Sequence, residues 1–181
     1  MRNEIRFLRC GHEVRLDNLN PMLTLLDYLR LQERALGTKE GCAEGDCGAC
    51  TVVLRKLIDG HLVYQPVNAC ILLAIQCRGR DIQTVEALGG PGHLHPLQQA
   101  FIDHGAAQCG YCTPGMLLAA KSYLDEHPGV VPEPDAVREA IAGTLCRCTG
   151  YQKIVDAVRA AAVRMQETAD AEALRRQETP E

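Results

Sequence analysis

The sequence KEGCAEGDCGACTV, residues Lys39–Val52, places three cysteines and three glycines within ten positions. Gly41, Gly45 and Gly48 lack a Cβ atom, so the backbone there can adopt a positive φ and approach a bound group closely. Cysteine thiolates are metal ligands. The stretch therefore predicts a loop in which backbone N–H groups and sulfur atoms, and not bulky side chains, surround a metal-containing group.

A first group of four cysteines combines this loop with a more distant position. Its spacing is C-x4-C-x2-C-x19-C, formed by Cys42, Cys47, Cys50 and Cys70. Four thiolates can hold either a zinc ion or an iron–sulfur cluster. Zinc sites commonly pair two short knuckles of similar spacing, whereas this spacing is typical of the 2Fe-2S cluster in plant-type ferredoxins. The spacing favours a 2Fe-2S cluster, with zinc as the alternative.

A second group of four cysteines lies further along the chain. Its spacing is C-x2-C-x33-C-x1-C, formed by Cys109, Cys112, Cys146 and Cys148. A C-x1-C pair brings two thiolates to one site over a short reach, which few zinc motifs use. Thr113–Pro114 and Thr149 each introduce a predicted helix just after a cysteine pair. The positive helix ends would favour an anionic cluster, and zinc is again the alternative.

Composition excludes several classes of partner. The 181-residue chain has a formal net charge of -4 at pH 7, which argues against nucleic acid and anionic lipid. Aromatic residues make up only 4% of the chain, too few for stacking platforms. The sequence has no apolar run long enough for a membrane span and no signal-peptide pattern, so we expect a cytoplasmic protein. Clustered cysteines in that reducing compartment indicate metal binding or redox chemistry.

The remaining sequence offers no catalytic motif. Cys10 and Cys77 belong to neither group and are expected to be small apolar residues. His93 and His95 lie in a segment rich in glycine and proline and are expected to be solvated turn residues. No nucleotide-binding fingerprint, nucleophile elbow or HExxH sequence occurs. The chain is therefore predicted to be an electron carrier with no catalytic residues of its own.

Hydrophobic patterning divides the chain into two parts and predicts an α+β fold. Residues 1–88 contain strand-like runs, a hairpin turn at Asp59–Gly60, and one helix capped by Asn20. The turn-rich residues 89–96 form a predicted linker. Four stretches of helical periodicity then fill residues 97–165. The charged residues 166–181 are predicted to be a tail or a frayed helix.

Three segments together resemble a known family: GTKEGCAEGDCGACTVVL, QCGYCTPGML and LCRCTGYQKIVDAV. They are similar to the iron–sulfur subunit or domain of the molybdenum hydroxylases, the xanthine dehydrogenase and aldehyde oxidoreductase family. The resemblance covers roughly residues 4–163. It implies a plant-ferredoxin-like β-grasp domain, then a four-helix bundle, with one 2Fe-2S cluster in each.

The resemblance also implies an electron path. Substrate would be oxidised at a molybdopterin in a large subunit, and electrons would pass through both clusters to FAD in a medium subunit. The second group of cysteines would then hold the cluster nearest molybdenum, and the first group the cluster nearest flavin. Gln108 and Cys148 match family positions that approach the amino group of the pterin. From sequence alone, a local capping role for Gln108 is an equal alternative.

The sequence also leads to expectations about partner subunits and substrate. The sequence ends at Glu181 without a flavin or molybdenum domain, so we expect a three-chain complex, assembled as a dimer of heterotrimers. The 19 residues between Cys50 and Cys70 favour a purine-like or other N-heteroaromatic substrate over an aldehyde. Two other functions are compatible with the cysteines: a zinc-stabilised interaction module and a freestanding ferredoxin.

Overall fold

The computed structural model describes residues 4–90 and 92–178, except the side chains of residues 172–174 and 176–178. Within this part of the chain, one five-stranded sheet is followed by a helical region. The predicted α+β class is confirmed. Residues 1–3 of the first predicted domain and residues 179–181 of the predicted tail lie outside the described residues.

The sheet is built from two hairpins and a short central strand. Its strands are β1 (Glu4–Arg9), β2 (His12–Asp17), β3 (Thr51–Ile58), β4 (His61–Asn68) and β5 (Asp81–Gln83). Their order across the sheet is β2-β1-β5-β3-β4, with β5 parallel to β1 and antiparallel to β3. The turn predicted at Asp59–Gly60 is confirmed, and both of its residues have positive φ, as a tight hairpin turn requires.

The first helix begins later than the sequence pattern predicts. It consists of α1 (Leu25–Asp27) and a π-helical turn, Tyr28–Gln32. Its cap is Thr24, whose Oγ1 accepts a hydrogen bond from the N–H of Asp27, and not Asn20. The cause is tertiary, because the Leu25 N–H donates to the carbonyl of Leu72 at 2.7 Å and Thr24 stays extended just before the helix. Asn20 instead forms a local turn.

Four helices follow the sheet: α2 (Pro96–Asp103), α3 (Thr113–Glu126), α4 (Pro134–Ala140) and α5 (Gln152–Glu178). α3 begins at Thr113, directly after Cys112, as predicted. The charged segment is not separate from the helix before it, because α5 continues through Glu178. Within the described residues, no helix combines the length and the apolar character needed to cross a membrane.

Each half of the molecule has its own hydrophobic core. The first lies between the sheet and α1 and includes the fully buried Leu29 and Ile82. The second lies among α2 to α5 and includes Met116 and Ile154. α3 also packs against β3 and β4, which joins the two halves. This contact brings the two groups of cysteines to the same end of the molecule.

Candidate metal centres

Two cysteines of the first group lie at the base of the β3–β4 hairpin. Cys50 directly precedes β3 and Cys70 follows β4, and their sulfur atoms are 3.3 Å apart. The Ala69 N–H donates to the Cys50 carbonyl at 3.2 Å, which holds the two positions side by side. Both thiols are buried, and burial raises the pKa of Cys50 to about 12. Metal binding at Cys50 must therefore displace a firmly held proton.

The other two cysteines of the first group lie on the loop before β3. The Cys42 sulfur accepts hydrogen bonds from the N–H groups of Asp46 and Cys47, each at 3.3 Å. Backbone N–H groups of Glu44, Cys47 and Asp46 lower the pKa of Cys42 to about 6. Cys42 also shares a side-chain hydrogen bond with Cys47. The loop thus provides the inward N–H groups that the sequence predicted.

The three glycines of this loop make different contacts. A Cβ at Gly41 would lie 2.6 Å from the sulfur of Cys47, so a side chain there would displace a ligand atom. Gly45 and Gly48 have positive φ, of 86° and 67°. Gly41 does not, and Ala43 instead adopts a positive φ of 59°. The backbone of the loop therefore curves as predicted at Gly45 and Gly48. The left-handed φ at Ala43 could not be predicted from the positions of the glycines.

The second group of cysteines lies where the loops before α3 and α5 meet. The sulfur atoms of Cys109 and Cys148 are 3.5 Å apart, and both residues are exposed. Cys112 and Cys146 lie deeper and share a side-chain hydrogen bond. Burial raises the pKa of Cys112 to about 12. A cavity of about 210 Å³ is lined by all four cysteines and by Cys47 of the first group.

In each group the sulfur atoms are arranged as two pairs. The pairs are Cys42 with Cys47, Cys50 with Cys70, Cys109 with Cys148, and Cys112 with Cys146. A metal–sulfur bond of about 2.3 Å lets sulfur atoms 3.3 Å apart, as in Cys50 with Cys70, or 3.5 Å apart, as in Cys109 with Cys148, bind one metal atom. In a 2Fe-2S cluster each iron takes two protein ligands. Both donor sets therefore fit a two-iron cluster. Among residues 4–90 and 92–178, no three His, Cys, Asp or Glu side chains are grouped to hold a single ion.

The hydrogen-bonding roles of three polar residues around the second group were not predicted from the sequence. The Cys146 N–H donates to the hydroxyl of Tyr151 at 2.7 Å, and the Thr149 hydroxyl lies 3.1 Å from the Cys146 sulfur. Burial raises the pKa of Cys146, but hydrogen bonds from Thr149, Cys148 and Cys112 together outweigh it and lower that pKa overall. Tyr111 donates to the carbonyl of Glu40 and so ties this site to the first loop. Only the position of Thr149 and Tyr151 beside the cysteines could have indicated these roles.

Gln108 lies on the open side of the second site. Its side chain is exposed and adjoins the exposed Cys109. The amide makes no hydrogen bond with the described residues, 4–90 and 92–178, so it does not cap this loop. Its proximity to a pterin stays a prediction.

Two family descriptions match the chain, one over each half. The 2Fe-2S iron-sulfur cluster binding domain matches residues 8–74, and the 2Fe-2S binding domain matches residues 84–159. Each range contains one complete group of four cysteines. The chain is thus an iron–sulfur protein with two 2Fe-2S binding domains, and the prediction of two such clusters is confirmed.

Relatives of similar size narrow the identification. The nicotinate dehydrogenase small FeS subunit of Eubacterium barkeri is 44% identical over 157 residues, which cover 87% of this chain and 94% of that protein. The nicotine 6-hydroxylase small subunit of Paenarthrobacter nicotinovorans is 49% identical over 135 residues, which cover 75% of each. The crystal structure of quinoline 2-oxidoreductase from Pseudomonas putida 86 contains a chain with 40% identity and a TM-score of 0.78, covering 91% of this chain and 96% of that one.

These matches place the chain in the family that the three cysteine-containing segments resemble. It belongs to the iron–sulfur small subunits of the molybdenum hydroxylases. The family also includes much longer proteins. The chain spans only 11–12% of the length of the xanthine dehydrogenases and aldehyde oxidases that it matches at 39–43% identity.

Proposed function

We propose that this chain is the electron-transfer subunit of a molybdenum hydroxylase. It would carry electrons from the molybdopterin centre of a large subunit to the FAD of a medium subunit. Each 2Fe-2S cluster, when bound, supplies one-electron redox chemistry. The observation that carries the proposal is the direct backbone contact between the two cysteine sites.

That contact is a hydrogen bond between a cysteine of the first site and the residue next to a cysteine of the second. The N–H of Leu145 donates to the carbonyl of Cys47 at 2.9 Å. Leu145 is bonded to Cys146, so one short hydrogen bond and a few covalent bonds join the first group of cysteines to the second. Such a link suits transfer between two redox groups held in one chain. An interaction module held by two separate zinc ions has no need of it.

The exposure of the ligands suggests which site faces which partner. Cys109 and Cys148 are exposed, with the exposed Gln108 beside them. This surface is the proposed contact with the large subunit, where Gln108 and Cys148 would approach the pterin. Cys42 and Cys47 are only partly covered at the other site. The loop that carries them is the proposed contact with the FAD subunit.

Several finer features belong to the same proposal. α5 packs against α2 and α4, and α3 also packs against α2 and α4. This packing supports a four-helix bundle beside the β-grasp sheet. The relatives named for nicotinate, nicotine and quinoline support an N-heteroaromatic, purine-like substrate, and those named aldehyde oxidase support an aldehyde as the alternative. The proposed assembly is a dimer of heterotrimers in the cytoplasm. A freestanding ferredoxin is the second candidate.

Anaerobic purification from native cells tests this function. We expect about four iron atoms and four acid-labile sulfides per chain, together with one molybdopterin-containing chain and one flavin-containing chain. Nicotinate, quinoline, hypoxanthine and benzaldehyde should then be added separately, and at least one should bleach the cluster absorbance. Recovery of the loaded chain without partners would favour the freestanding ferredoxin. Stoichiometric zinc without sulfide would overturn both functions.

A further inference from the structure

The two cysteine sites touch through backbone that only glycine permits. A Cβ at Gly115, in the first turn of α3, would lie 2.4 Å from the carbonyl oxygen of Gly48. A Cβ at Gly48 would lie 2.1 Å from the carbonyl oxygen of Gly143 and 2.8 Å from the Cα of Thr144. The obstructing atoms nearer than 3.0 Å are all backbone, which cannot rotate away as a side chain does. We call this meeting of Gly48, Gly115 and residues 143–144 the glycine contact.

The glycine contact lies between ligands of both sites. Gly48 directly follows Cys47, and Gly115 is three residues after Cys112. Thr144 is two residues before Cys146. A displacement at the contact therefore reaches ligands of both sites through very few bonds.

Two features of the glycine contact lower the stability of the folded chain. Thr144 is only 1% exposed, and its hydroxyl has no hydrogen-bond partner within residues 4–90 and 92–178. Burying an unpaired hydroxyl is unfavourable. Gly115 also occupies a helical position, where alanine would favour the helix more than glycine does. Local stability thus supplies no reason for glycine at this position, whereas close approach does.

We propose that Gly48 and Gly115 are positioning residues, which set the separation of the two 2Fe-2S clusters by letting the loops that hold them meet at backbone distance. The inference rests on the proposed electron-transfer function. It adds that the rate of transfer within the chain depends on residues that contribute no ligand sulfur to either cluster. A side chain at Gly115 would push the loop of Cys47 away from the loops of Cys112 and Cys146. The contact of 2.4 Å would have to open beyond 3.0 Å, below which Cβ atoms are essentially never found.

The substitution Gly115→Ala tests the proposal, with Gly143→Ala as its matched control. Neither glycine has a positive φ, so alanine introduces no backbone strain at either position. A Cβ at Gly143 would meet nothing within 4 Å, although the residue lies at the same contact. The same chemical change therefore creates an obstruction in one variant only.

The measurement is the magnetic coupling between the two reduced clusters, made by low-temperature electron paramagnetic resonance on the anaerobically purified complex. Dipolar coupling falls with the cube of the separation, so G115A should show weaker splitting than the unaltered protein. Its two individual cluster signals should stay in place. Electron transfer between the clusters, followed after rapid partial reduction, should slow several-fold. G143A should match the unaltered protein in both measurements.

Thr144→Ile provides a second test, because it adds bulk to the contact from the opposite side and leaves every glycine in place. It too should weaken the coupling, and it keeps the proposal testable if G115A does not load both clusters. Unchanged coupling in a loaded variant of either kind would overturn the inference, as would an equal loss in G143A. Absence of two cluster signals from the unaltered protein would instead contradict the proposed function.

Discussion

Each of the two cysteine sites has four thiol ligands, but the sites are assembled in opposite ways. The first is formed by one loop and one hairpin, and backbone N–H groups surround the Cys42 sulfur. The second joins two loops whose cysteine pairs are 33 residues apart, and side chains of Thr149 and Tyr151 support Cys146. The first site thus depends on local loop conformation. The second depends on the packing of the helices that bring its loops together.

The largest expected effect comes from removing one ligand at each site. Cys42→Ser and Cys148→Ser should each abolish one cluster, because serine is a poor ligand for iron–sulfur clusters. Iron should fall from about four atoms to about two per chain. The electron paramagnetic resonance signal of the other cluster should persist. Loss of both signals in either variant would show that the sites do not assemble independently.

The second expected effect is a difference in thiol reactivity within the first site of the metal-free protein. The pKa of Cys42 is about 6 and that of Cys50 about 12, so at pH 7 Cys42 is mostly thiolate and Cys50 almost entirely thiol. Iodoacetamide should therefore modify Cys42 orders of magnitude faster. Peptide mapping by mass spectrometry measures both rates. Equal rates would mean that the loop relaxes when metal is absent.

The lowered pKa of Cys42 also predicts that the stability of the metal-free protein depends on pH. The pKa of Cys42 is lower in the folded chain than the ordinary thiol value of 9.0. Its contribution to the free energy of unfolding is therefore complete above about pH 9 and is lost as the pH falls through about 6. Urea unfolding from pH 5 to 9 should show this slope in the unaltered chain. The slope should shrink in Cys42→Ser.

Core substitutions test whether each site depends on its own half of the molecule. Ile154→Ala and Leu29→Ala each remove a fully buried side chain and should lower the free energy of unfolding by about 2–5 kcal/mol. The Ile154 variant should lose the second cluster first on warming, and the Leu29 variant the first cluster. Cluster-specific signals followed against temperature measure this order. Simultaneous loss in both variants would indicate one cooperative unit.

The smallest expected effect concerns the hydroxyl beside Cys146. Thr149→Val removes a hydrogen-bond partner of a ligand sulfur, which should shift the reduction potential of the second cluster to more negative values. The first cluster should keep its potential. Thr168→Val, on the exposed part of α5, is the matched control. A redox titration that follows each cluster separately measures both potentials, and an unmoved second potential would contradict a tuning role for Thr149.

The sequence alone was sufficient to predict the structure where the contacts that determine it are local. The spacing of Cys42, Cys47 and Cys50 lies within one loop, and Asp59–Gly60 determines its own turn. The short spacings C-x2-C and C-x1-C likewise keep the two cysteines of each pair close, although no such constraint acts on the 33 residues between those pairs. The domain limits and the individual ligand assignments remain predictions.

The sequence did not predict the structure where contacts with distant segments of the chain determine it. The cap at Asn20 was wrong because the carbonyl of Leu72, which follows the β3–β4 hairpin, accepts a hydrogen bond from the Leu25 N–H and so determines where the helix begins. The contact of Gly48 with Gly115 joins positions 67 apart, and no spacing rule connects them. The charged residues after position 165 also continue α5, since their composition permits helix as readily as coil.

The β3–β4 hairpin has a practical consequence. Its strands pair residue for residue from Thr51 opposite Asn68 to Ile58 opposite His61, with no bulge. Cys50 and Cys70 lie at its open base, and the exposed tip is roughly 25 Å away. Lengthening both strands equally would leave the two ligands in place, so the spacing between them is a poor guide to substrate. The bond between Asp59 and Gly60 is accordingly a suitable place to insert an affinity tag or a fluorophore without disturbing iron.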